Sequence, residues 1–472
     1  MLLRRMSSCF NLARALTWGL AAMLIAPTNS MALDPFGTED AITRGRLDMA
    51  ADEVRCDREK IRSPLAMADV VDLALCNNPQ TRSLWAAARV QAAQVGVSTS
   101  AYLPTLSAQA SVAQNVVTIA GQPQDTYSSR SASLSASYLL YDFGGRSASL
   151  ENAKQLLVAV NATRDATLQS TYLNAVQAYY ALLSAHSSVQ AYQAAEAAAQ
   201  ESLSAAQARY QAGVATPVDK LQAQTNLSQA TLNRISAEGN ERNAQGTLAN
   251  IMGFDATQPF TLREVAETTP DPAVEQDIGR LITQARQQRP DLLAADAQIL
   301  AAEAQVDATR ASGRPTLTLG AQAAISSGSA APDTRSSSIG LTLNVPLFSG
   351  FRTNYQVRAA EAQLEGRVAE RDRVANQIAL DVWKAYQTML TSSQALRSAD
   401  DLVAAAEESG KMVLGRYKAG VGNILDTLTA QSALASAQQQ RVSALYNFLY
   451  SRFALAQAIG ELDLTQLENG KQ

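Results

Sequence analysis

Arg209-Tyr210-Gln211-Ala212-Gly213-Val214 returns almost unchanged as Arg416-Tyr417-Lys418-Ala419-Gly420-Val421. Each copy closes a long run of helix formers, and each is followed by another. Pro217, just past the first copy, suits the opening turn of a helix. Gly213 and Gly420 allow the sharp reversal that a residue with a Cβ resists. The block therefore reads as the tip of a helical hairpin, written twice.

Working outward, other blocks pair in the same order at offsets of about 206 to 211 residues. Asn78-Pro79 pairs with Arg289-Pro290-Asp291-Leu292, and Gln94 with Gln305. Leu103-Pro104-Thr105-Leu106 pairs with Arg314-Pro315-Thr316-Leu317. Tyr141 to Arg146 pairs with Leu347 to Arg352, and Val176 and Tyr180 with Val382 and Tyr386. A unit of about 200 residues is far longer than a solenoid repeat and reads as duplication of a half-structure. The expected organisation is a first repeat over 63–262 and a second over 263–462. An N-terminal arm, 33–62, precedes them and a polar tail, 463–472, follows.

Each half should carry two strands, at about 104–116 and 129–141, then at about 315–326 and 335–347. Period two is the signal. Leu106, Ala108, Ala110 and Val112 alternate with Thr105, Ser107, Gln109 and Ser111. Ile339, Leu341, Leu343 and Val345 alternate with Ser338, Gly340, Thr342 and Asn344. One face is apolar and the other small and polar, over a length that suits a tilted bilayer-spanning strand. A soluble sheet with one wet face would read the same. Four strands are too few to close a barrel, so strands that meet lipid must be shared among chains; a trimer would give twelve.

Long helices are expected at about 146–212, 217–252, 352–419 and 424–460. The run from Arg146 to Ala212 has neither proline nor glycine; as one helix it would extend on the order of 100 Å. Tyr172, Val176, Tyr179 and Leu183 follow coiled-coil spacing, as do Ile378, Val382, Ala385, Met389, Ser392 and Leu396. An antiparallel coiled coil would show that spacing without explaining the strands.

Composition agrees with such a design. The chain has 472 residues, 47% hydrophobic but only 6% aromatic, with abundant Ala and Gln. There is one histidine, His186, so a His-rich metal site or a Ser-His-Asp triad would have to use it. No phosphate-binding glycine loop is present, and neither an enzyme nor a cofactor is expected. The net charge of -4 gives no support to nucleic acid as a partner.

Arg4, Arg5 and Arg14, the apolar stretch from Ala15 to Ala26 and the small residues around Ala32 read as a signal peptide over 1–32. An uncleaved anchor is the alternative. Cys9 precedes the apolar stretch and cannot be a lipid-modified cysteine that follows one. Cys56 and Cys76 remain, and read as one disulfide or as two free thiols.

With these residues in view, the chain resembles the TolC-type outer-membrane channel-tunnel family from about Ser63 to Leu462. The duplicated Arg-Tyr-x-x-Gly block, Leu73 to Pro79, Tyr102-Leu103-Pro104 and Pro346 to Gly350 carry the resemblance. It implies an α+β membrane protein: a homotrimer with a twelve-strand barrel among outer-membrane lipid and a twelve-helix periplasmic barrel below. It implies a periplasmic adaptor and an inner-membrane transporter, ABC-type or proton-driven, as partners. Both Gly-containing turns would lie at the periplasmic tip, where Arg209, Tyr210, Gly213, Arg416 and Gly420 are candidates for the turn and for adaptor contact.

Local alignment places Asp426 at an aperture-ring position, Asp219 at a bonding position and Tyr417 at its tyrosine partner. Both aspartates would alternatively be helix N-terminal carboxylates facing the macrodipole. Gly422 stands where an arginine partner is expected, and Thr429 replaces a second ring aspartate. The Asp34-Pro35-Phe36 arm and the Cys56/Cys76 pair look similar to the protein-secretion branch, including the adenylate-cyclase-toxin exporters. The implied function is therefore an exit duct for type I protein secretion. The alternatives are a duct for small-molecule efflux and, in a different class, a periplasmic coiled coil that never inserts.

Overall fold

The computed structural model describes residues 34–42, 64–121, 124–263, 277–329 and 332–462. The expected signal peptide, most of the N-terminal arm, Cys9, Cys56 and the polar tail lie outside the described residues. The first half runs α1 (Met67–Asn77), α2 (Pro79–Ser100), β1 (Thr105–Val117), β2 (Asp125–Tyr141), α3 (Gly145–Gln211) and α4 (Pro217–Ile251). The second runs α5 (Ile278–Gln288), α6 (Pro290–Ala311), β3 (Thr316–Gly328), β4 (Thr334–Asn344), α7 (Arg352–Lys418) and α8 (Ile424–Ile459).

Local chemistry sets the helix ends. Proline opens α2, α4 and α6, where its missing N–H has no intrahelical partner to lose. Asn78 and Asn423 cap α2 and α8 by accepting the N–H of Gln80 and Leu425, at 2.8 and 3.1 Å. Thr216 and Asp219 form a reciprocal capping box at the start of α4, with bonds of 3.0 and 3.3 Å. α3 and α7 each run 67 residues, which at 1.5 Å per residue is about 100 Å.

The four strands form one antiparallel sheet in the order β1-β2-β3-β4, leaving β1 and β4 as free edges. The register sorts side chains by type. Ser107 meets Ser135 and Ser111 meets Ser131, each at 2.7 Å between hydroxyls. On the opposite face Ala108 stands against Leu134, Leu319 against Leu341 and Ala321 against Ile339. β2 begins four residues before the expected position because Asp125 to Ser128 pair with β1. β4 ends at Asn344, short of the expected 347, next to Pro346, which has no N–H to offer a ladder.

The largest buried cluster lies where α1, the middle of α3, the end of α4 and the end of α8 meet. Val71 and Leu75 of α1 pack with Tyr172, Val176 and Tyr179 of α3, Leu248 of α4 and Leu449 of α8. Each such side chain contributes roughly 1.5–3 kcal/mol on burial. Thus the four-and-three spacing in α3 marks a seam that α1 covers. Burial and the neighbouring Tyr446 push the Tyr179 hydroxyl up to about 12. Its Oη donates to the Arg263 carbonyl at 3.1 Å. A parallel bridge between Leu65 and Leu262 ties the start of α1 to the end of the first half. Cys76, in α1, is held in a disulfide; Cys56 lies outside the described residues.

A second cluster unites Leu281 and Ala285 of α5 with Ile378 and Val382 of α7 and Leu455 and Ile459 of α8. Beside it Arg289 bonds Asp291 at 2.6 Å and Asp381 at 3.2 Å. Burial works against the Arg289 charge, and the two carboxylates outweigh it, raising the guanidinium above its usual range.

Candidate functional site

Two regions carry functional potential: the sheet at one end of the long helices and the paired turns at the other. On the sheet, large apolar side chains face outward with nothing over them. Val112 is 78% exposed, Ile339 77% and Leu106 72%. A water-soluble monomer rarely leaves a contiguous apolar patch of this kind bare. Tyr141 and Phe143 stack edge-on at 4.7 Å beside the exit of β2, and Phe348 and Phe351 at 5.4 Å beyond β4. Aromatic pairs there have the chemistry of a membrane-interface girdle. Among the described residues no helix is long and apolar enough to cross a membrane.

At the far end, the chain leaves α3 and α7 through Gly213 (φ 76°) and Gly420 (φ 85°). Val214 N–H bonds the Arg209 carbonyl and Val421 N–H the Arg416 carbonyl, at 3.0 and 3.1 Å. The two turns thus have one geometry, and the chain packs them side by side. The Arg209 guanidinium lies over the Tyr417 ring at 4.8 Å and donates to the Tyr417 carbonyl at 2.5 Å. Tyr417 is buried with Ile424, Leu203, Ala206 and Ala223. Gln431 of α8 donates to Ser202 Oγ at 2.8 Å and to the Ala198 carbonyl at 3.1 Å on α3.

The individual candidates separate. Asp219 faces its own helix start, where its carboxylate accepts the Thr216 N–H at 3.0 Å, and makes no hydrogen bond to Tyr417. The physical reason is local: a carboxylate three residues past the cap reaches that N–H without crossing to another helix. Burial raises the Tyr417 phenol; the Arg209 charge opposes that and the Asp219 charge reinforces it. Asp426 is exposed in the first turn of α8, with no side-chain partner among the described residues. Tyr210 and Arg416 are also exposed. The stacking of Arg209 on Tyr417 escapes sequence reading, because its partners stand 208 residues apart. The sequence Thr216-Pro217-Val218-Asp219 has the spacing that could have signalled the capping box.

His186 is half exposed; its Nδ1 meets Glu241 at 2.6 Å and its Nε2 meets Gln190 at 3.1 Å. No described group of three or more His, Cys, Asp and Glu side chains is arranged to hold a metal ion.

The family model for "Outer membrane efflux protein" matches residues 70–254 and 281–461. The chain belongs to the outer membrane efflux protein family. Its relatives include Protein CyaE of Bordetella pertussis, 31% identical over 86% of this chain and 86% of that protein. Outer membrane efflux protein BepC of Brucella suis is 25% identical over 83% of this chain and 84% of its own length. The Campylobacter jejuni CmeC outer membrane channel superposes with a TM-score of 0.72 at 20% identity, covering 86% of this chain and 89% of that one. As a family member the chain is an outer-membrane channel for efflux or secretion, with a large periplasmic part.

Proposed function

We propose that this protein is the outer-membrane exit duct of a tripartite export system for type I protein secretion. One observation carries the duct: a four-stranded sheet with two free edges and an uncovered apolar face, continued by helices of 67 residues. Free strand edges in lipid cost several kcal/mol for each unsatisfied backbone group. Pairing β4 of one copy with β1 of the next removes both edges and keeps the sheet antiparallel. Three copies give a twelve-strand barrel and a tunnel of twelve helices, each copy being a duplicated half-structure.

In that assembly the turns at Gly213 and Gly420 form the periplasmic tip. Exposed Asp426 from three copies rings the aperture and favours cations. Tyr417 and Asp219 flank it, and Arg209, Tyr210 and Arg416 are available to a periplasmic adaptor. An inner-membrane ABC transporter drives the cargo; the duct performs no chemistry of its own. The secretion reading is supported by greater identity to Protein CyaE, 31%, than to efflux protein BepC, 25%. It is also supported by the Asp34-Pro35-Phe36 arm and by Cys76 being held in a disulfide.

Mass spectrometry of culture medium, with and without the gene, tests this. Loss of one large exported protein is expected. An unchanged secretome with increased sensitivity to toxic small molecules would transfer the assignment to an efflux duct with a proton-driven pump.

A further inference from the structure

The contacts between the two hairpins of one chain use only half of what the repeats offer. Arg209 stacks on Tyr417, and Gln431 bonds Ser202 and the Ala198 carbonyl. Shifting these positions between the duplicated blocks, where Arg209 corresponds to Arg416, gives a second set with the same residue types. Arg416 stands for Arg209, Tyr210 for Tyr417 and Gln224 for Gln431. Ser409 and Ala405 stand for Ser202 and Ala198.

Within the chain the second set is unused. Arg416, Gln224, Ser409 and Ala405 are exposed, and none of their side chains has a partner among the described residues. Tyr210 is 43% exposed where Tyr417 is 2% exposed. Leu221 is 64% exposed, whereas its counterpart Leu428 packs against the Tyr417 cluster. The unused groups divide between two faces. Tyr210, Leu221 and Gln224 lie on the first hairpin; Arg416, Ser409 and Ala405 lie on α7 of the second. Each face is the complement of the other, in cation and ring, in amide and hydroxyl.

We propose that α7 of one copy docks on the first hairpin of the next, with Arg416 over Tyr210 and Gln224 bonded to Ser409 and the Ala405 carbonyl. The interface is head-to-tail, since the two faces differ, and a head-to-tail contact builds a ring when its rotation closes. Every junction between hairpins at the tip, within a copy and between copies, then has the same design. Cation–ring contacts of this kind are sensitive to desolvation, so the buried and exposed copies become equal only on assembly. The inference rests on the oligomeric duct reading and specifies which surfaces and which residues join.

The test uses the full chain in outer-membrane fractions. The variants are Tyr210→Cys with Arg416→Cys, and separately Gln224→Cys with Ser409→Cys, each treated with a short bismaleimide. Cys76 is already held in a disulfide and does not compete. Covalent dimers and trimers on a denaturing gel are expected from both pairs, while each single variant stays largely monomeric. If a lysine-reactive cross-linker yields trimers but neither cysteine pair does, the docking is wrong and the oligomeric reading stands. If neither reagent yields oligomers, both fall. A cross-link confined within one chain would also overturn the docking.

Discussion

The two ends of the helical hairpins use glycine for the same backbone turn and for different reasons. Near the sheet-side core, α4 and α8 end at Gly253 and Gly460, with φ of 79° and 80°. At the tip, α3 and α7 end at Gly213 and Gly420, with φ of 76° and 85°. A Cβ on Gly253 would stand 2.7 Å from the Asn77 carbonyl oxygen, and one on Gly460 3.2 Å from the Arg289 N. A Cβ on Gly213 would meet nothing within 4 Å. The inner ends are therefore seated against the backbone that opens α2 and α6, whereas at the outer ends no backbone crowds the glycines and the contact between turns is made by side chains, Arg209 on Tyr417. Under the proposed duct, this division would fix the membrane end and leave the tip freer to change.

Gly253→Ala should give the largest effect, because it combines left-handed strain with collision against backbone that cannot rotate away. A loss of about 3 kcal/mol is expected, against about 1 kcal/mol for Gly213→Ala, where only the strain applies. Thermal unfolding of the detergent-solubilised protein, read by circular dichroism, checks the pair. Equal losses would erase the distinction between a seated and an open turn.

Arg289→Met attacks the seated end through its charges. It leaves Asp291 and Asp381 facing one another without the cation that joins them. Breaking a fully buried pair costs about 3–5 kcal/mol; with both acids about a third exposed, about 2 kcal/mol is expected. The same melting assay reads it. Adding Asp381→Asn should recover part of the loss, since it removes the repulsion.

How much of this division was legible in the sequence depends on the range of the interaction. Turns and helix starts were legible, because Gly213, Gly420 and Pro217 act on their immediate neighbours. The strand faces were legible too, since period two fixes which side chains share a side. The partners that Asp219 and Arg209 meet within the chain were not legible. Asp219 could reach the Thr216 N–H or a tyrosine on another helix, and motif alignment favoured the distant partner over the near one. Arg209 meets Tyr417, and Arg289 meets Asp381, only because of how long helices are rotated about their axes. The Arg164 guanidinium over the Trp85 ring, at 4.4 Å, belongs to the same class. Rotation is set by summed packing over many turns, and a single residue pair leaves no mark of it in the sequence.

At the open end, the Arg209–Tyr417 contact should be modest and separable from burial. Arg209→Ala, Tyr417→Phe and the double variant form a cycle. Tyr417→Phe retains the ring, so Arg209→Ala should cost nearly the same in either background. Tyr417→Leu in place of the phenylalanine should show a coupling of about 1 kcal/mol. A coupling near zero would mean that the tip is held by apolar packing alone and is looser than its buried tyrosine suggests.

The smallest effect lies midway along the first hairpin, between the fixed and the free ends. Glu196 accepts the Thr231 hydroxyl and the Arg234 Nε, each at 2.6 Å. The Thr231 bond first, and then the Arg234 bond and charge, hold the carboxyl below its usual 4.5 against the opposing effect of burial. A carboxylate lowered by folding stabilises the fold above its unfolded value, and that contribution disappears as pH falls through the folded value. The melting temperature should therefore decline as pH drops below about 4.5, and Glu196→Gln should make that decline shallower by giving up at pH 7 the small contribution that the unaltered chain loses on acidification. Thr231→Val should weaken the same dependence by removing the leading cause. If the slope is unaltered by both, the pair is a surface contact without consequence, and the hairpin between its two ends is held by packing rather than charge.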